Sequence, residues 1–211
     1  MNSALLLLAF AALAPAAVQA PAPTVPAVPE AAATRTVAQA LCLLGFTTVP
    51  LRELATGHHA VEVVLNGRPG LFVLDTGANA TVLHAAYLKD FGLGGRRSVR
   101  TDAAGLGGVS SADLVPIDGL SIGAVATRQR HILAIDISHV TVLLERFSGG
   151  RIHGIIGQDV MKEHRAVVDV RGPAVHLIEA DRDPAPVASE NCPVSRPAAA
   201  PAPPRSGDAK R

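Results

Sequence analysis

The chain has 211 residues, enough for one domain of ordinary size with tails, or at most for two small domains. Its apolar fraction is 48%, but only 3% of its residues are aromatic and it has no tryptophan, so the core must be built from valine, leucine and isoleucine, which favour β-strands. The net charge is only +1, and the lysine and arginine residues are scattered along the chain rather than clustered. The chain therefore lacks the basic patch that is typical of proteins that bind nucleic acid or an anionic membrane surface.

Residues 1–20 predict a secretory signal peptide. An unbroken apolar run covers residues 4–13, Pro15 follows, and residues 18–20 resemble a small-residue cleavage site, although no lysine or arginine precedes the run. The run is shorter than the roughly 20 residues of a membrane-spanning helix, so cleavage after Ala20 is favoured over a retained anchor. The predicted protein is exported, to the periplasm or the medium, and membrane anchoring follows only if the segment is not cleaved.

Residues 21–50 are predicted to be a linker that contains a short helix. Its first part, residues 21–33, is rich in proline and alanine and has no apolar periodicity, which is typical of an extended chain. Between Thr34 and Gly45, apolar residues recur at helical spacing, and Gly45 is a typical helix end. The sequence leaves open whether this segment is an inhibitory pro-segment.

The predicted globular domain, residues 51–180, begins with a β-hairpin. Strands at 61–65 and 71–74 flank Asn66-Gly67, which is a strong hairpin turn sequence. The second strand is wholly apolar and runs directly into Asp75. Because an unpaired buried carboxylate is costly, Asp75 is the leading candidate for a catalytic acid.

The other predicted elements are short strands with one or two short helices, which is typical of an all-β barrel. From residue 181 to residue 211 the chain is mostly proline, alanine, arginine and serine, and this tail is predicted to be disordered. The predicted strands lie at 81–83, 99–109, 110–117, 120–123, 129–137, 166–170 and 174–178, the helical turns lie at 85–91 and 160–163, and residues 140–147 are ambiguous.

The residues after Asp75 favour the chemistry of a carboxylate pair over a metal site or a simple ion pair. Two carboxyls held about 3 Å apart cannot both ionise, so one polarises a carbonyl while the other takes a proton from a water between them. Thr76 offers a hydroxyl to a facing loop, and Gly77 lets its N–H approach the carboxylate. Ala78 is small enough for two such loops to meet.

The run Asp75-Thr76-Gly77-Ala78 after an apolar strand resembles the active-site loop of the retropepsin-like aspartic proteases, in particular the single-domain exported type of bacteria. Ile155-Ile156-Gly157 resembles the second mark of that family, and the glycine-bearing stretch 104–108 is placed like its flap hairpin. Three marks in the expected order, within residues 51–180, are a strong signal.

This resemblance implies a closed, single-lobed β-barrel of the acid-protease fold that cleaves a peptide or protein substrate without a cofactor or metal. The chain has eight histidines, and no two of them have the HExxH spacing of a zinc site, which agrees with a site without metal. The implied catalytic residues are Asp75, Thr76 and Gly77, and the implied substrate-binding residues are Ala78, Gly105, Leu106 and Gly107.

The sequence contains one Asp-Thr-Gly and no second copy. A domain of about 130 residues is also half of what a two-lobed enzyme needs. Because a lone carboxylate cannot share a proton, the predicted enzyme is a symmetric homodimer in which Asp75 of each subunit completes one site. The alternative function is a non-catalytic peptide-binding or scaffold domain that keeps the same barrel.

Cys42 and Cys192 both remain after removal of the signal segment. In an oxidising compartment they can pair, and otherwise Cys42 is a buried apolar residue of its helix while Cys192 is free in the tail. The sequence leaves both alternatives open. Neither cysteine lies in a setting that would activate a thiolate, so the chemistry of cysteine proteases is not predicted.

Overall fold

The computed structural model describes residues 36–105 and 108–192. In these residues the protein is mostly β, with thirteen strands and three short α-helices, so the predicted β class with few short helices is confirmed. The helices are α1 (Val37–Leu43), α2 (Ser138–Ser148) and α3 (Gln158–Glu163). The strands are β1 (Thr47–Pro50), β2 (Arg52–Glu53), β3 (His59–Leu65), β4 (Arg68–Leu74), β5 (Val82–His84), β6 (Val99–Gly105), β7 (Gly108–Pro116), β8 (Leu120–Ile122), β9 (Val125–Ala126), β10 (His131–Ile135), β11 (Gly154–Ile156), β12 (Val167–Asp169) and β13 (Ala174–Leu177).

The larger sheet has ten strands in the order β6-β7-β10-β5-β11-β4-β3-β8-β9, with β2 paired to β3 beside this path. Strand β4, which leads into Asp75, lies between its hairpin partner β3 and the parallel strand β11. In the described residues β6 and β9 end the sheet and do not pair with each other. The closed barrel that the resemblance implies is therefore not confirmed.

The hairpin of β3 and β4 forms around the turn that the sequence predicts. Leu65 pairs with Arg68, so the turn has two residues. Both Asn66 and Gly67 have positive φ, at 50° and 76°, which matches the right-handed twist of the flanking strands. The Asn66 side chain also accepts a hydrogen bond from the Asp118 backbone N–H at 2.8 Å, which ties the turn to a neighbouring loop.

The last four residues of β4, 71–74, are apolar because both faces of the strand are covered there. Phe72 lies in the main hydrophobic cluster of the domain, while Leu71 and Val73 lie in a second cluster on the opposite face. Leu144 of α2 belongs to this second cluster, and Val140 packs against it. A strand buried on both faces reads as a continuous apolar run rather than as an alternating pattern.

Helix α2 occupies the segment that the sequence left ambiguous. It begins where Asp136 Oδ1 accepts hydrogen bonds from the backbone N–H and the hydroxyl of Ser138, at 2.9 Å and 2.7 Å. It ends at Gly149, whose φ of 66° is the left-handed conformation that favours glycine at a helix end. Within the described ranges, no helix is both long and apolar enough to cross a membrane.

The smaller sheet has the order β1-β13-β12 and brings the two ends of the described chain together. Its β12 and β13 form the last hairpin that the sequence predicts, and β13 is buried along its whole length. Strand β1 runs antiparallel to β13, with Thr47 opposite Leu177. The predicted limits of the domain remain predictions, since the signal segment and the rest of residues 1–35 lie outside the described residues.

Residues 179–192, here called the C-terminal strap, lie against the end of α1. Ala185 and Val187 donate backbone hydrogen bonds to the carbonyls of Leu44 and Leu43, at 3.1 Å and 2.9 Å. Cys192 forms a disulfide with Cys42, with a Cα–Cα distance of 5.7 Å that is usual for this bond. The structure therefore shows the paired alternative, and residues 181–192 differ from the predicted disorder because contacts distant in sequence order them.

Candidate active site

Asp75 lies at the end of β4, directly beside the triplet Ile155-Ile156-Gly157 at the end of β11. Its backbone N–H donates to the carbonyl of Ile156 at 3.0 Å. The parallel register places Leu74 opposite Ile156. Two motifs that are far apart in the sequence are thus neighbours in the sheet.

The loop after Asp75 presents the carboxylate at the surface of the chain. Gly77 N–H donates to Asp75 Oδ1 at 2.8 Å, and Ala78 N–H donates to the Asp75 carbonyl at 3.2 Å. Asp75 and Ala78 are half-buried, while Thr76 and Gly77 are exposed. The structure therefore brings four of the predicted site residues into one turn, with the Thr76 hydroxyl free to meet another surface.

The other predicted site residues belong to the hairpin of β6 and β7. This hairpin forms, with Gly105 paired to Gly108, so its turn falls earlier than the sequence suggested. Strands β7, β10, β5 and β11 lie between β6 and β4 in the sheet order, so strand pairing alone does not bring Gly105 to Asp75. Leu106 and Gly107 lie outside the described residues.

Gly157 is buried where β11 passes behind the Asp75 loop. A Cβ atom at this position would lie 2.5 Å from the backbone carbon and oxygen of Ala80 and 3.0 Å from the oxygen of Ala78. Real Cβ contacts are not this short, so only glycine fits while the two segments keep this spacing. The apolar-apolar-Gly triplet thus has a physical reason in the packing of the loop.

We expect Gly157→Ala to destabilise the fold by about 3 kcal/mol, since added volume in a close-packed interior forces the backbone apart. Urea unfolding measures this change. Gly119→Ala is the matched control, because nothing lies within 4 Å of a Cβ at that position. Equal stability of the two variants would contradict the close packing described here.

Helix α3 holds the loop through Gln158, a residue that the sequence analysis did not single out. Its backbone N–H donates to the Ala78 carbonyl at 2.8 Å, and its Nε2 donates to the Thr76 carbonyl at 2.6 Å. These bonds join residues on either side of the exposed turn to one helix. No pattern in a single sequence indicates this contact, because it depends on where α3 begins.

Thr81 and Asp159 form a second brace, also missed from the sequence. Asp159 accepts hydrogen bonds from the Thr81 backbone N–H at 2.9 Å and from its hydroxyl at 2.7 Å. The same hydroxyl oxygen accepts the Gly157 N–H at 3.0 Å. The available signal was an acidic residue two positions after the triplet, at the start of a predicted helix, where a carboxylate satisfies free N–H groups.

A cavity of about 230 Å³ adjoins Asp75 between β4, β11 and α2. Its walls are mainly leucine, valine and isoleucine side chains, with His58 and His139 as further polar residues. Asp75 is the one carboxylate among its described lining residues. Elsewhere in the described ranges, no group of three or more histidine, cysteine or acidic residues is placed to hold a metal ion.

His153 hydrogen-bonds to β4 at Leu71, which lies four residues before Asp75. Its Nδ1 accepts the Leu71 backbone N–H at 3.0 Å, and its own backbone N–H donates to the Leu71 carbonyl at 2.8 Å. Burial lowers the pKa of His153, and the hydrogen bond requires an unprotonated Nδ1. A neutral His153 is therefore part of the strand that presents Asp75.

We expect the stability of the wild-type protein to fall as the pH falls below about 6.5, because the unfolded chain then takes up the proton that folded His153 resists. Above that pH both states are neutral and this contribution is fully present. His153→Asn keeps an acceptor for Leu71 N–H but does not titrate, so its stability should fall less between about pH 7 and about pH 5. Denaturant unfolding at several pH values measures the difference, and parallel pH profiles would contradict it. Burial also lowers the pKa of His176, so a smaller slope remains in the variant.

Comparison with known proteins finds a family model that matches the region of this site. Residues 61–160, which include both the Asp75 loop and the Gly157 triplet, match the family model described as aspartyl protease. Over these residues the chain is similar to the aspartyl protease family. The family resemblance that the motifs carry is thereby confirmed.

Two solved structures illustrate what the chain is similar to. A retropepsin-like aspartic protease from Rickettsia conorii is 15% identical with a TM-score of 0.44, and the match covers 64% of this chain and 91% of that one. The EIAV protease complexed with the inhibitor HBY-793 is 22% identical with a TM-score of 0.37, covering 49% and 84%. No curated protein matches the chain.

The site contains one carboxylate, a glycine N–H that orients it and an adjoining apolar cavity. The Gly77 N–H contacts Oδ1, which leaves Oδ2 for a water, a substrate or a second carboxyl. A single ionised carboxylate accepts a proton from water but has no proton to donate, so a second acid is needed to protonate the carbonyl oxygen.

Proposed function

We propose that the protein is an aspartic endopeptidase that hydrolyses peptide bonds with a water activated by two Asp75 carboxylates, one from each subunit of a homodimer. The observation that carries this proposal is that Asp75 is the one carboxylate among the described residues of its cavity and stands at an exposed turn, while the chain has a single Asp-Thr-Gly. A partner's identical turn is the simplest source of the second acid.

In this mechanism the two carboxyls share one proton. The ionised Asp75 takes a proton from the water as it attacks the peptide carbonyl, and the protonated Asp75 donates to the carbonyl oxygen. The roles reverse when the leaving amine takes its proton. Thr76 bonds across to the facing loop, and the hydrogen bond from Gly77 N–H keeps the carboxylate aligned.

The substrate is an extended peptide or protein segment that passes over the Asp75 turns and pairs its backbone with the protein. Ala78 contacts it from below, and Gly105, Leu106 and Gly107 contact it from above. A closed barrel in each subunit would support this cleft.

The enzyme works outside the cytoplasm in this proposal. The disulfide between Cys42 and Cys192 supports an oxidising compartment, since such bonds are rare in the cytosol. Residues 1–20 provide the export signal that this location needs.

Peptide hydrolysis at different protein concentrations tests the proposal. With a shared site, the specific activity should fall on dilution at the concentration where sedimentation shows the dimer dissociating. Specific activity that is unchanged when the protein is monomeric would contradict a site shared between subunits. Peptide binding without any hydrolysis would favour the non-catalytic domain instead.

A further inference from the structure

Helix α2 has an outer apolar face that no described residue covers. Val142 and Leu143 are 51% and 56% exposed, whereas Leu144 on the inner face is 3% exposed. His139 and Arg146 lie on the same outer face, because positions 139, 142, 143 and 146 have the spacing that places helix residues side by side. Exposed apolar side chains grouped in this way are typical of a binding surface.

This outer face is an open surface, here called the groove, that lies beside the cavity of Asp75. It has a volume of about 470 Å³, and its described lining residues all belong to α2: Ser138, His139, Val142, Leu143 and Arg146. His139 and Leu143 also line the cavity of Asp75. A segment bound at the carboxylate therefore reaches the groove without crossing another element.

The groove carries a cation and no described carboxylate. Arg146 has no acidic partner within ion-pair distance among the described residues. The adjacent Glu145 points the other way, where its Oε1 accepts the Tyr87 hydroxyl at 2.9 Å and the Ile152 N–H at 3.0 Å. Asp136 is engaged by Ser138 at the start of the helix.

We propose that this groove is a substrate subsite for an acidic side chain. The preferred substrate has a large apolar residue next to the scissile bond, in the Asp75 cavity, and an aspartate or glutamate two positions further from that bond, beside Arg146. Alternate residues of an extended peptide point the same way at a spacing of about 7 Å, which suits neighbouring sites along one helix. This inference rests on the proposed function, since it assumes a peptide bound at Asp75.

The charge of the groove argues against the other occupants. Residues 193–211 contain four cationic side chains and one aspartate, so the C-terminal tail is repelled by Arg146. A second copy packed symmetrically on this face would place its own Arg146 and His139 against the same groove, with no described acid among the lining residues to pair with them. A peptide with both an apolar and an acidic side chain can contact Val142 and Leu143 and also pair with Arg146.

Three short synthetic peptides test the subsite. They share a central Leu-Phe pair and differ only in carrying Glu, Gln or Lys two residues before the leucine. Cleavage by the wild-type protein gives kcat/KM, and fluorescence anisotropy with the non-cleaving Asp75→Asn protein gives Kd. Both are repeated with Arg146→Glu and with Lys162→Glu, a matched control that also removes a cation from the last turn of an exposed helix end.

The Glu peptide should be favoured over the Lys peptide by about fivefold, as expected for an exposed ion pair. The preference should reverse in Arg146→Glu and persist in Lys162→Glu. Cleavage whose preference is the same in all three proteins would overturn the subsite and leave the protease proposal intact. Binding that depends on Arg146 without any cleavage would support the subsite while the protease proposal fails. A change in sedimentation of Arg146→Glu with unaltered peptide preference would assign the face to a second copy and overturn the inference.

Discussion

Replacing Asp75 by asparagine should lower kcat for peptide hydrolysis by about a thousandfold or more, because the proposed shared site then has no group that takes a proton from water. Asparagine has nearly the same shape as aspartate, and its side-chain oxygen still accepts the Gly77 N–H. The folded structure and the melting temperature should therefore change little. The measurement is kcat on a peptide that the wild-type protein cleaves.

Asp90→Asn is the control for this experiment, since Asp90 is an exposed carboxylate in a surface ion pair with Arg151, and such pairs contribute little to stability. A mixture of wild-type protein with excess Asp75→Asn protein tests the shared site further. Activity per wild-type subunit should fall as the variant fraction rises, because mixed dimers carry one carboxylate. Undiminished activity in the mixture, or in the Asp75→Asn protein itself, would contradict the mechanism.

The second large effect is expected from the disulfide. Cys42→Ser should lower the free energy of unfolding by about 4 kcal/mol, because the bond closes a very long loop and its loss frees the unfolded chain. The two cysteines are separated by 150 positions. Guanidinium unfolding of the wild-type and variant proteins, with and without reductant, measures the change.

Reduced wild-type protein, Cys42→Ser and Cys192→Ser should have the same stability, since each lacks the same bond. We also expect unfolding of these proteins to begin at α1 and the C-terminal strap. Without the disulfide, these two segments are held together by the backbone hydrogen bonds that Ala185 and Val187 donate. If the wild-type protein has the same free energy of unfolding with and without reductant, the disulfide contributes nothing to stability.

Local signals predicted the β3–β4 hairpin correctly and drew attention to Asp75. The Asn66-Gly67 turn depends on positive φ at two adjacent residues, a preference that resides in those residues alone. Asp75 drew notice because a charge directly follows an apolar strand. Gly77 donates to its carboxylate, as the sequence suggested, because residues two positions apart meet in a turn.

The segment of helix α2 was ambiguous for a physical reason. Its inner side chains pack on β4, but Val142 and Leu143 on its outer face are also apolar, so its apolar residues do not form one stripe at helical spacing. The C-terminal strap was missed for a different reason. Its composition predicts disorder, but a disulfide and hydrogen bonds to α1 order residues 181–192.

The amino-acid sequence alone predicts the mostly-β class, the turn before β4 and the loop that begins at Asp75. Each of these depends on a few consecutive residues. The tertiary structure alone decided that Gly157 lies behind this loop, that Gln158 holds Thr76 from 82 positions away, and that α2 lines the cavity of Asp75. Those contacts depend on the order of strands in the sheet, and strand order is a property of the whole folded chain rather than of any one segment.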